Sequence, residues 1–170
     1  PIGTSETRVP RARLARLPDE HPEDLTGAQQ AVLAAFHERR LSDDALADTY
    51  PTLRWPDGSP LLPLDRDALV AARRELAARG LLVATHLAVD RQRRICRVWA
   101  RTPPHPGDAL GIIAPGAPVH ITVKRGETIS GHLGDYQHVN GRGIYNIRPK
   151  GGGRKRVLIG EVTRVVTAPL

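Results

Sequence analysis

Residues 65–102 read DRDALVAARRELAARGLLVATHLAVDRQRRICRVWART, and the punctuation of this stretch decides how the whole chain is divided. Asp65 is a helix-capping residue, and Leu64 and Leu69 stand on either side of it at hydrophobic-staple spacing. Leu69, Ala72 and Leu76 then recur with helical period and form one buried stripe. Gly80 supplies the left-handed residue that closes a helix. Beyond it the period changes from 3.6 to 2, and LLVATHLAVD and RRICRVWAR read as a hairpin. Val83, Thr85, Leu87 and Val89 are expected on one face of its first strand, and Cys96, Val98 and Ala100 on one face of its second. Arg91, Gln92, Arg93 and Arg94 fall at the turn. On the helix, Asp67, Val70, Ala71, Arg74 and Ala78 point away from the stripe, with Arg66 and Arg73 flanking it. That outward surface is narrow and edged with arginine, as a surface that approaches a groove closely must be.

Two more helices precede this unit. LTGAQQAVLAAFHERR carries Thr26 as N-cap and Gln29 three residues on, a capping box, and is expected to run to near Arg40. LSDDALADTY has Ser42 as cap, Asp43 and Asp44 where the helix dipole favours anions, and Leu41 and Leu46 as a staple. Tyr50-Pro51 ends it. PTLRWPDGSPLLP, with four prolines and an Asp57-Gly58 turn, is a loop that Trp55, Leu61 and Leu62 fold back onto the core.

Three helices followed by a hairpin over residues 25–102 resemble a winged helix-turn-helix domain. The resemblance is carried by LSDDALADTY, by RRELAARGLL and by RRICRVWART. It implies a third helix that enters the major groove of duplex DNA and a wing that touches the adjacent backbone. Carried over to this chain, Arg66, Arg73 and Arg74 become groove or phosphate contacts, and Arg91, Arg93 and Arg94 become wing-tip phosphate contacts. The gap from Tyr50 to Asp65 departs from the family's tight turn. Winged helices also serve as protein–protein modules.

TPPHPGDALGIIAPG follows, and residues 103–115 are read as a linker. From residue 116 the pattern is short strands and tight turns, which predicts a small, strongly bent barrel. VHITVKRGETISGHLGDY and RKRVLIGEVTRVV resemble, in pattern alone, the opening and closing strands of an Sm-like or SH3-like barrel. Its candidate binding residues are Lys124 and Arg125 on one turn and Lys150, Arg154, Lys155 and Arg156 on another. The expected class is therefore α+β: an arm over residues 1–24, an N-terminal winged helix of three helices plus a β-hairpin over 25–102, and a C-terminal small all-β barrel over 116–170.

The charge agrees with a polyanion partner and is unevenly placed. The chain of 170 residues carries +7, and residues 103–170 alone hold 9 basic and 4 acidic residues, net +5. Arg8, Arg11, Arg13 and Arg16 make the arm either a backbone-tracking segment or a solvated tail. One cysteine, Cys96, excludes an internal disulfide and a cysteine-rich zinc site and points to a reducing, cytoplasmic setting. No apolar run reaches the roughly 20 residues of a membrane span, and the start lacks the apolar core of a secretory signal. The chain has no Met, which fits either a lost initiator or an excerpt of a longer protein.

Catalytic signals are weak. RPKGGGRKR lacks the phosphate-loop spacing. His132 and His138, with Asp135 between them, are the nearest approach to a metal cluster among seven His. Tyr136 and Tyr145 are candidates either for base stacking or for barrel packing. The expectation is a non-catalytic DNA-binding protein of bacterial or phage type without cofactor or metal. It acts in transcription or genome maintenance, with the barrel adding backbone contact or self-association. Two alternatives stand beside it: a protein-interaction subunit of a larger assembly, and an RNA- or single-strand-binding Sm-like protein.

Overall fold

The computed structural model describes residues 25–167. The arm and its four arginines lie outside the described residues. Helix α1 spans Gly27–Ala35, strand β1 Arg40–Leu41, α2 Asp43–Thr49, α3 Arg66–Ala78, β2 Leu82–Val89 and β3 Ile95–Arg101. After a 3-10 turn at Pro106–Gly111 come β4 Pro118–Val123, β5 Thr128–Val139, β6 Arg142–Arg148, β7 Lys155–Leu158 and β8 Val162–Thr167.

The helix starts follow their caps. Thr26 accepts from the Gln29 amide at 3.2 Å while the Gln29 side chain accepts from the Thr26 amide at 3.1 Å. Ser42 accepts from Ala45 N–H and Asp65 from Ala68 N–H. Gly80, at φ +75°, ends α3, and the Leu81 amide reaches back to the Leu76 carbonyl at 2.9 Å. Helix α1 stops earlier than expected. Glu38 takes φ +55°, and Arg40 and Leu41 leave the helix to pair with Ala100 and Trp99.

That pairing forms the first sheet, in the order β1-β3-β2. The second sheet has the order β7-β6-β5-β4-β8, and its outer strands β7 and β8 are not hydrogen-bonded to each other. Both observations correct the expected fold class. Among the described residues, the first unit is three α-helices on a three-stranded sheet, because a strand lies between α1 and α2 that a helix-plus-hairpin reading omits. The second is an open, bent, five-stranded sheet, not a closed barrel. The described residues show neither a winged helix nor a closed barrel.

The two sheets are joined through shared side chains. Leu82 and Val83 are neighbours on β2, so they point to opposite faces. Leu82 is buried in the helical core and Val83 in the core of the second sheet. The Thr167 hydroxyl accepts from Ala84 N–H at 3.1 Å, and the Thr85 carbonyl accepts from Ala114 N–H at 2.6 Å. A Cβ on Gly80 would lie 2.9 Å from the Val165 carbonyl oxygen, so the end of α3 rests directly on β8. Residues 103–115, read as a linker, place Ala109, Leu110 and Ile113 in the second core.

The hairpin is not a regular ladder. The β2–β3 register shifts between Ala84 and His86. This bulge turns Leu87 and Val89, which pair with Arg97 and Ile95, onto the Trp99 face and away from Val83. The expected common face of Val83, Thr85, Leu87 and Val89 is therefore broken at Thr85. In the loop before α3, Leu61 is buried and Leu62 exposed, and the Tyr50 hydroxyl donates to the Leu62 carbonyl at 2.5 Å. Among the described residues no helix is long and apolar enough to cross a membrane.

Candidate nucleic-acid interface and the groove beside it

The arginines of α3 have different fates. Arg73 is 7% exposed and belongs to the fold. Its Nε and Nη2 donate to the two carboxylate oxygens of Asp43, each at 2.7 Å, and its guanidinium lies 4.4 Å from the centre of the Trp99 ring. A side chain held on both sides in this way is not presented to a groove. Arg66 is exposed but pairs with Asp44, and that hydrogen bond holds the Arg66 pKa above its ordinary value. Arg74 is exposed and stands beside neither aspartate's ion pair.

At the hairpin tip, Asp90 organises the turn. Its carboxylate accepts from the Arg94 and Gln92 amides, each at 2.8 Å, and pairs with the Arg94 guanidinium at 3.1 Å. The Arg94 amide, followed by the other partners, lowers the Asp90 pKa. Arg94 also approaches Asp44 at 3.9 Å, so Arg66, Asp44, Arg94 and Asp90 form a chain of charges from α2 to the tip of the β2–β3 hairpin. Arg91 and Arg93 project beyond it, with Arg93 at φ +60° in the turn. Of the six cations expected on this unit, Arg74, Arg91 and Arg93 remain outside these ion pairs.

The second sheet brings together two basic turns that are far apart in sequence. Strand β6 ends at Arg148, opposite His132 in the middle of β5. The turn over residues 149–154 therefore sits alongside the first residues of β5, at the same end of the sheet as the 124–127 turn. Lys155 completes the junction by donating to Glu127 at 2.9 Å. Lys155, chiefly through this hydrogen bond, and then Arg125 lower the Glu127 pKa. Lys124 is anchored through its amide to the Glu161 carbonyl at 2.9 Å. Lys124, Arg125, Lys150, Arg154, Lys155 and Arg156 are all exposed here, and Glu127 pairs with one of them. The convergence was invisible in sequence because it depends on the bend of β5, where the ladder shifts between Leu133 and Tyr136.

The tyrosines meet at this bend, their ring centres 5.2 Å apart. Tyr136 is half exposed, and burial followed by the Tyr136 neighbour raises the Tyr145 pKa. Among the described residues no three His, Cys, Asp or Glu side chains come together as a metal site.

A groove of about 820 Å³ lies between α3 and the hairpin. Arg74, Ala77 and Ala78 form its helical wall and Ile95 and Arg97 its strand wall, with Trp99 between them and Val166 at one end. Arg97 was not singled out by the sequence, although its place between Ile95 and Trp99 on one strand face was the available signal. Its guanidinium lies 5.9 Å from the Trp99 ring centre. Burial first, and Arg73 second, lower its pKa from the ordinary arginine value. Among the described residues no carboxylate forms an ion pair with it. No protein-family model, no curated protein and no solved structure matches this chain.

Proposed function

We propose that this protein binds duplex DNA without catalysing a reaction, and that it does so mainly through the phosphate backbone. The observation that supports this most is the junction of the 124–127 turn with the start of β7. It brings the turn that carries Lys124 and Arg125 to the same end of the sheet as Lys150, Arg154, Lys155 and Arg156, all exposed, with Lys155 paired to Glu127. Each cation that neutralises a phosphate releases condensed counterions, which drives association and makes it salt-sensitive. Arg91 and Arg93 at the hairpin tip add charge outside the internal ion pairs. Base readout by α3 is the weaker part of the reading, since Arg73 is committed to Asp43 and Trp99.

Anisotropy with a labelled mixed-sequence duplex of about 30 bp, a matching single strand and an RNA, over a salt series, tests this. The duplex should bind with a steep fall of log K against log salt. The pair Arg154→Ala and Arg156→Ala should flatten the slope by about 2, since each phosphate contact contributes about 0.9. An unchanged slope in that variant removes the β7 patch from the interface. Tighter binding of the single strand or the RNA than of the duplex overturns the duplex reading.

A further inference from the structure

We infer that the groove between α3 and the β2–β3 hairpin is a docking site for a short protein segment that carries carboxylates among aliphatic residues. Three observations converge on that chemistry. First, the charges lining the groove cancel except at two places. Arg73 is balanced by Asp43, Arg66 by Asp44 and Arg94 by Asp90. Arg74 on the helical wall and Arg97 on the strand wall have no carboxylate partner among the described residues, and Arg97 is partly desolvated against Trp99. A guanidinium stripped of some of its water and given no anion is poised for a carboxylate brought from outside.

Second, the hairpin presents aliphatic side chains that a soluble sheet ordinarily buries. Leu87, Val89 and Ile95 are 54%, 66% and 74% exposed. The register places all three on the Arg97 face, Val89 opposite Ile95 and Leu87 opposite Arg97. An apolar cluster of this kind beside a cation marks an interaction surface. Third, Ala77, Ala78 and Val166 continue the apolar lining across the groove.

The alternatives fit less well. A duplex would bring phosphates toward Asp43, Asp44 and Asp90, which also line the groove, and would set the groove's Ile95, with Leu87 and Val89 beside it on the same strand face, against a polyanion. A second copy of this chain would set Arg74 and Arg97 against another molecule of net charge +7. A segment that alternates acidic and aliphatic residues satisfies both the cations and the aliphatic wall.

The test uses the full chain and a fluorescein-labelled peptide of alternating Leu and Glu, with Leu/Lys and Ser/Glu peptides of the same length as controls. The Leu/Glu peptide should bind and the controls should not. Arg97→Gln and Ile95→Ser should each weaken that binding by about tenfold or more. Because Ile95 is largely exposed, its variant should keep the parent melting temperature. No binding of Leu/Glu, equal binding of Ser/Glu, or no effect of the two substitutions overturns the inference. Displacement of the peptide by excess duplex overturns it too, by showing nucleic acid in the groove. Lys124→Ala with Arg125→Ala should leave peptide binding intact, so failure of the DNA reading and failure of this one register in different variants.

Discussion

Arg73→Ala separates a structural arginine from a nucleic-acid contact. The substitution removes two charge-assisted hydrogen bonds at 2.7 Å from Asp43, whose side chain is 30% exposed. Breaking a fully buried pair costs about 3–5 kcal/mol. Water can return to Asp43, so roughly 2 kcal/mol is appropriate here. Loss of the cation from the Trp99 face, at 4.4 Å, adds about 1 kcal/mol. The packed aliphatic stem adds about 1.5 kcal/mol, at about 0.8 per methylene. Against these stands about 1.5–2 kcal/mol of side-chain entropy no longer lost on folding. The expected net loss is about 3 kcal/mol, a fall of about 6–12 °C in Tm for a chain of this size. Thermal melts followed by circular dichroism, with an Asp43→Ala double-mutant cycle, measure it, and the coupling should reach about 1.5 kcal/mol or more. Arg73→Lys should recover only part of the loss, because an ammonium cannot reproduce the two-point fork. A variant that melts within about 2 °C of the parent while losing duplex affinity about tenfold would refute the reasoning and return Arg73 to the interface.

Three other perturbations have definite signs. Burial pushes the Tyr50 hydroxyl up to about 12, and it donates to the Leu62 carbonyl. The folded state therefore holds this proton more tightly than the unfolded chain. The associated stability is fully present below about pH 10 and is lost as pH rises toward 12. Tyr50→Phe should weaken the fold by about 1 kcal/mol at neutral pH and reduce the alkaline loss, and equal alkaline slopes in denaturant titrations of the two proteins would remove Tyr50 as its source. Gly80→Ala should lower stability by about 2 kcal/mol or more, because its φ is +75° and an added Cβ would stand 2.9 Å from the Val165 carbonyl oxygen. A neutral result in urea denaturation would show that α3 and β8 are not packed this closely. Thr26→Ala should cost about 1 kcal/mol by breaking the capping box, again read from the urea midpoint.

What the sequence made legible was local. Thr26, Ser42 and Asp65 cap helices, and Gly80 ends one, because each acts on backbone groups within a few residues. The stripe Leu69, Ala72 and Leu76 is buried as its period requires. What escaped was set by contacts distant in the chain. Strand β1 has two residues and no period of its own, and exists because Ala100 and Trp99 offer it a ladder. The bulge at Thr85 shifts the hairpin's faces where simple alternation has no way to mark it. Arg73 and Arg74 are adjacent in sequence and look equivalent, yet only Arg73 meets a carboxylate, supplied by α2 thirty residues earlier.

That last contrast bears on how a basic chain should be read. The excess of cations in residues 103–170 is real in composition, but composition does not distinguish a charge that holds the fold from one left for a partner. Pairing does. Arg73 and Arg66 are tied into α2, Arg94 spans the hairpin tip and α2, Lys155 ties two turns together, and Arg164 donates to the Ala78 carbonyl to join β8 to the end of α3. With these set aside, the remaining charges divide by their surroundings. The β7 patch is exposed and its Glu127 is already paired with Lys155, which suits a polyanion backbone. Arg74 and Arg97 instead flank an apolar groove that also contains three aspartates, where a phosphate chain meets repulsion and a carboxylate on an aliphatic segment meets the two unpaired cations. The two surfaces differ in chemistry, so if both proposals hold, the DNA and the protein segment bind at separate places on one molecule.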